Sequence, residues 1–483
     1  MKHLEMEGIE INKPDRRVVK AGLAVLVGDN LGLHQLGEYN ACFSSGNICR
    51  ICTAVYDDTC KKLLLYSGVE ENYEPEVLSQ EAYDKYADVA VANGEGNADS
   101  CGIKNHCMFN SLQSYHCASG MPPCLGHDFF EGIFSYDCQF LLDFIISREK
   151  LITLSEFNNL LTSCKLSQRD AKNKPNLFKT KANKLTGSAG QMRVMSRIIS
   201  VVLSDILDVS EVGIMIIKLQ ELSEIVTAPK LTDDEIEFEM REIIESYLDL
   251  RISAVEMYGM SNPRPKHHFL GHYPDCYKNY GPLISLWGMR FESKHTYFKG
   301  VIKASKNFKN VAKTCASRHE LAQVCYRYYG LFPRSKYDIP SNSVSLSDHL
   351  NFTTDVHLKE VSKVLPSDSL ILNTMKILGT LYTPGMIVVI EKEAFGILKV
   401  GIIRVIAVHG EKVFFGVSTF IAVQSRYNFY VSTKDLDKFE IKSCDELQDY
   451  YPLTRIGTTS SFRFALHHYI SSAMGMSDNN ELI

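Results

Sequence analysis

Asp29 closes an apolar run, Cys49 and Cys52 follow it, and a histidine pair, His267 and His272, precedes Glu292. The segments are VGDN at 27–30, CRIC at 49–52, KHHFLGH at 266–272 and WGMRFESKH at 287–295. Two cysteines and two histidines make a tetrahedral zinc site, and both spacings fall in the usual range. His268 is the alternative ligand to His267. The two carboxylates suggest a second chemistry. Metal-dependent phosphodiester cleavage needs carboxylates that hold two divalent cations about 4 Å apart. A strand-end aspartate plus a helix glutamate is one way to build that clamp, so Asp29 and Glu292 are candidate ligands for Mg²⁺ or Mn²⁺. A structural zinc on Cys49, Cys52, His267 and His272 would join the segment after Asp29 to the segment before Glu292. The metal would then offset the closure entropy of the long chain between them.

A basic run follows the glutamate. Arg290, Lys294, Lys299, Lys303, Lys306, Lys309, Lys313 and Arg318 lie in a stretch whose one acid is Glu292, with Tyr297, Phe298 and Phe308 interleaved. Such a face would grip DNA phosphates and make binding steeply salt-dependent.

The elements that must position these residues can be read from hydrophobic period and breakers. Residues 17–28 are continuously apolar enough to predict a buried strand, which would put Asp29 at its carboxyl end. Residues 57–125 are polar and irregular. From about 126 to 260 apolar stripes recur at three- and four-residue spacing, predicting helices. Thr232 and Asp233 signal a helix start, and NPRP at 262–265 its end. Residues 284–330 look helical again. The period then changes: MIVVIE, GILKVGIIRVIAV, KVFFGVSTFIAV and NFYVST predict short strands between 381 and 440, with HGEK at 409–412 as a hairpin turn. A small β domain, a barrel or curled sheet, is expected there. Residues 474–483 read as a frayed tail.

At 483 residues and 45% hydrophobic the chain can bury several cores. The start has no apolar signal-peptide region and no run is long enough to span a bilayer. Fourteen cysteines then suggest reduced thiols or metal ligands in an intracellular protein. The net charge of −5 does not announce a nucleic-acid binder, so any basic surface must be local. No GxGxxG or P-loop is present, which argues against a small-molecule nucleotide cofactor. The HDFFEG block at 127–132 reads as a capped helix packing its phenylalanines rather than a second metal site. Cys101, Cys107, Cys117 and Cys124, with His106 and His116, are a weaker candidate zinc cluster because their spacings are irregular. Trp287 is expected to pack the Glu292 helix against the core.

The order GDN, CRIC, KHHFLGHYP, WGMRFESKH resembles the catalytic core of DDE transposases of the CACTA/Mirage/Chapaev group. It is also similar to their Transib relatives and to the catalytic subunit of the V(D)J recombinase. The resemblance covers about residues 15–330. It implies that Asp29 is the second catalytic aspartate, that His267 and His272 are the pair ahead of the catalytic Glu292, and that a long helical insertion interrupts an RNase H-like fold. DNA as partner, a possible homodimer and a nuclear location follow from the same likeness.

The family's first aspartate sits on an earlier strand. Only 28 residues precede Asp29, and Glu7, Glu10 and Asp15 are among the few acids they contain. The third carboxylate is therefore expected before Met1, with the triad incomplete in this sequence. The expected class is α/β: a partial RNase H-like core at 1–56, an irregular segment and helical insertion at 57–260, the histidine pair, glutamate helix and basic helices at 261–335, a linker at 336–380 and a β-rich domain at 381–473. The alternative function is a non-catalytic DNA- or chromatin-binding remnant of a transposon. A redox protein using CRIC is a third reading.

Overall fold

The computed structural model describes residues 1–11, 17–56, 75–93, 98–164, 166–329, 337–339, 343–352, 355–393, 396–457 and 462–472. The expected tail at 474–483, the helix end at Gly330 and Asp15 lie outside them. Helix and sheet are mixed, as an α/β reading requires at that level. Among the described residues no helix is long and apolar enough to cross a membrane. The chain forms two compact units from discontinuous segments. The first is Met1–Asp143, Lys181–Met192 and Asp233–Gly288; the second is Phe144–Thr180, Arg193–Thr232 and Met289–Ile483.

In the first unit the strand predicted over 17–28 exists only at Arg17–Val19, paired antiparallel with Ile9–Ile11 and exposed along its length. A buried strand needs ladder partners on both sides, and among the described residues Ile9–Ile11 is its single neighbour. The apolar residues that follow serve as loop packing instead. Leu23 and Leu26 rest against a cluster of Leu33, Tyr39, Tyr83, Tyr115 and Met121, and the Leu26 amide donates to the Gly120 carbonyl at 2.8 Å.

The helices of this unit agree with the periodicity. Gly126–Phe134 is π-helical and continues as the α-helix Ser135–Asp143, with Phe129, Phe130 and Phe134 fully buried. Trp287 follows the short Leu283–Leu286 turn and stacks on Phe130 with ring centroids 5.3 Å apart, so it packs against the core of this unit. Glu235–Met240 leads into Arg241–Tyr258, which Gly259 ends in the left-handed region at φ 71°. That stop comes before NPRP, because glycine takes the left-handed conformation with no Cβ to clash. Pro265 opens the next helix, Pro265–Leu270.

In the second unit the predicted strands are found at Ile387–Lys392, Ile397–His409, Lys412–Gln424 and Tyr430–Ser443. They form an antiparallel sheet completed by Asp449–Leu453 on one side and Phe462–Phe464 with Ile456–Gly457 on the other. His409 pairs with Lys412, and Gly410 sits at φ 59°, so HGEK is the two-residue hairpin its sequence predicts. Register shifts at Val389/Glu391, Ile403/Val405 and Ser418/Phe420 are the bulges that bend such a sheet. Both faces are covered, by clusters around Ile403, Phe415 and Tyr382 and around Val400, Phe420 and Phe464. The sheet shares its unit with helical segments, since Gln220 donates to the Asn428 carbonyl and the Tyr469 amide to that of Glu224.

Candidate metal centre and basic hairpin

Cys49 and Cys52 lie in the tight loop between the short paired strands Gly46–Asn47 and Val55–Tyr56. The Ile51 amide points back at Cys49 Sγ (3.3 Å), and the Ile48 amide donates to the Ala54 carbonyl, which folds the loop into a knuckle. The histidines come from the Pro265–Leu270 helix and the turn that follows it. His268 and His272 are four apart and therefore share a helical face.

Cys49, Cys52, His268 and His272 are all buried, and one ligand atom of each lies within 4.8 Å of the others. Cys49 Sγ is 3.5 Å from His272 Nε2, Cys52 Sγ is 3.2 Å from His268 Nε2, and the two Nε2 atoms are 3.2 Å apart. Bond lengths of about 2.3 Å to sulfur and 2.0–2.1 Å to nitrogen on a tetrahedron give edges of roughly 3.3–3.8 Å, the nitrogen–nitrogen edge the shortest. The donor set therefore fits a metal ion such as zinc. Burial works against a thiolate at Cys49, but its hydrogen bond with Cys52 and the His272 and His268 rings hold its thiol well below the ordinary value. Cys52 is pushed up by that same hydrogen bond and by burial. A bound metal would displace the remaining proton.

The structure corrects one ligand. His268 stands in the group, and His267 does not. Five positions separate His267 from His272, and at about 100° per residue this turns the His267 ring well away from the His272 face. His267 Nδ1 instead accepts from the Arg264 amide at 2.9 Å, which leaves Nε2–H to donate to Asp137 at 2.9 Å. Asp137 also accepts from Tyr247 and, at 3.1 Å, from Arg251 Nε. Although burial opposes it, His267 and Arg251 hold the Asp137 carboxyl down to about 2.

Asp29 is not at a strand end. It caps the Asn30–Leu36 helix, its Oδ1 accepting from the Gly32 amide at 2.6 Å, and it is exposed. Next to it Asn30 is buried and joined to Asp128 and to Arg50 Nη1 (2.7 Å). Arg50 sits between the two ligand cysteines, is 1% exposed, and also donates to the carbonyls of Met121 and Pro122. The sequence motifs assign no role to Asn30, Arg50 or Asp137, and Asp128 falls in the HDFFEG block read as helix packing. An arginine inside an otherwise apolar CRIC was the available signal. The weaker cysteine cluster is dispersed: the free thiols of Cys107 and Cys117 share a hydrogen bond, Cys124 faces His127, and His106 and His116 pair with Asp88 and Asp84. Among the described residues the Cys₂His₂ group is the one gathering of three or more metal-ligating side chains.

In the second unit Glu292 is exposed in the first turn of the Met289–Ser305 helix. That helix and Val311–Tyr328 form a hairpin. His319 stacks on Phe298, and the Tyr297 hydroxyl donates to the Arg318 carbonyl at 3.2 Å. Lys306 takes the left-handed φ of 49° in the connection, and Asn310 caps the second helix by accepting from the Lys313 amide. Lys299, Lys303, Lys306, Lys309, Lys313 and Arg318 are exposed, and Lys294 Nζ sits 4.7 Å from the Tyr297 ring centre. The side chain of Arg290 lies outside the described residues. Comparison with known proteins finds no protein-family model and no curated protein that matches this chain.

Proposed function

We propose that this chain is a zinc-tied DNA-handling protein of the DDE transposase type, with an RNase H-like organisation, working in the nucleus. The observation that carries the reading is the Cys₂His₂ group, which ties the segment shortly after Asp29 to the segment shortly before Glu292. Zinc there is structural, closing a very long loop. The exposed lysines of the basic hairpin supply phosphate contacts. Asp29 and Glu292 are the two carboxylates assigned to Mg²⁺ or Mn²⁺ in strand cleavage and transfer, and a homodimer would hold two DNA ends.

The second reading is DNA or chromatin binding without cleavage. It is favoured by Asp29, whose carboxylate is engaged as a helix cap. One experiment separates the two: duplex binding and nicking of supercoiled DNA, measured with Mg²⁺ or Mn²⁺, for the chain and for Asp29→Ala and Glu292→Ala. Salt-dependent binding is expected, and any nicking should vanish in both variants. Nicking that survives both substitutions ends the catalytic reading; no duplex binding at low salt ends both.

A further inference from the structure

The first unit holds a cavity of about 390 Å³ beside the metal centre, within the roughly 300–1,000 Å³ of small-ligand sites. Its floor is Asn30 and the buried ring of Phe269, the neighbour of ligand His268. Phe43 forms a half-buried aromatic wall. Three cations line it, Lys184, Arg264 and Lys266, against one carboxylate, Glu131. That carboxylate is already committed, because its Oε1 accepts from the Ala189 amide at 3.0 Å. Arg264 is held over the Tyr136 ring with its Cζ 3.7 Å from the centre, and Lys184 Nζ lies 5.6 Å from the same ring.

The chemistry of the lining selects the ligand. Three cations around one engaged acid favour an anion with several acceptor oxygens, and phosphate is such an anion. A bare phosphate would leave the half-exposed Phe43 ring uncovered, whereas a base has a flat face to stack on it. We propose that this cavity takes one nucleotide of a single-stranded nucleic acid, its phosphate on Lys184, Arg264 and Lys266 and its base against Phe43. The proposal rests on the reading of the chain as a DNA-handling protein and adds the strand state of the substrate. The floor is positioned by the metal centre, since Arg50 lies between the ligand cysteines, bonds to Asn30 and sits 5.6 Å from the Phe269 ring centre.

The test uses the whole chain, a 3′-labelled, 5′-phosphorylated oligonucleotide read by anisotropy, and dAMP and inorganic phosphate as competitors. Lys184→Ala and Phe43→Ala should each weaken single-strand binding by about tenfold, and Phe43→Tyr should restore it. Competition by dAMP at concentrations where inorganic phosphate has no effect supports a base-plus-phosphate site. If dAMP alone binds and the strand does not, the source is the free nucleotide and the strand assignment fails. Unchanged single-strand affinity in both variants overturns the proposal. Duplex binding, read in parallel with Lys303→Glu and Lys313→Glu in the basic hairpin, reports on the DNA-handling reading separately. Its loss there with single-strand binding intact leaves the two conclusions distinguishable.

Discussion

His267 and His268 are adjacent in sequence, both 1% exposed, and committed to different partners. His268 faces the cysteines, and His267 completes the donor set of Asp137. Substitution should separate these roles. His268→Ala and Cys49→Ser should lose bound zinc, measured by mass spectrometry of the dialysed protein. His267→Ala should keep its zinc and lose roughly 1–3 kcal/mol of stability, the cost of leaving a buried carboxylate short of a donor. Zinc lost in His267→Ala but kept in His268→Ala would reverse the assignment. The sequence showed that two cysteines and two of three histidines belonged together. It did not show which pair of histidines, because that depends on helical phase and on Asp137, 130 positions away.

The elements were legible where a local period or turn decides them. The HGEK hairpin, the helices between 126 and 260 and the strands after 386 all follow from neighbours within a few residues. The run at 17–28 was not, since strand or loop there depends on which segment lies alongside it, and its apolar side chains suit either outcome. The Gly213–Val226 helix shows the same dependence in another form. It is buried around most of its circumference, and with it goes Glu224, whose carboxyl burial pushes up to about 8, with partial relief from Gln220. The folded state therefore keeps a proton that the unfolded chain releases near 4.5. By linkage, stability falls as pH rises from about 4.5 to about 8 and then levels off. Glu224→Gln should melt several degrees higher than the parent at pH 8 and together with it at pH 5, by calorimetry. The ceiling on the gain is about 5 kcal/mol. Coincident melts at pH 8 would remove the argument.

At the scale of the molecule, both units are assembled from separated stretches of chain. The cysteines and histidines of the candidate metal centre belong to different stretches of the same unit, so a metal held there would join them directly. Stripping zinc with a strong chelator should lower amide-exchange protection together in 46–56 and 265–280 while the antiparallel sheet keeps its own. Protection lost equally everywhere would mean the ion is not a local tie.

The separation of the ligands along the chain also has a consequence in time. At about 5–20 residues per second, a ribosome that has made Cys52 needs roughly 10–40 s before His272 exists. Through that interval the nascent knuckle has only its two sulfurs to offer. During synthesis those thiols are open to oxidation or to capture by a thiol-loving ion such as copper. Expression yield should accordingly respond to zinc supply and to the reducing state of the host more than the burial of the finished centre suggests.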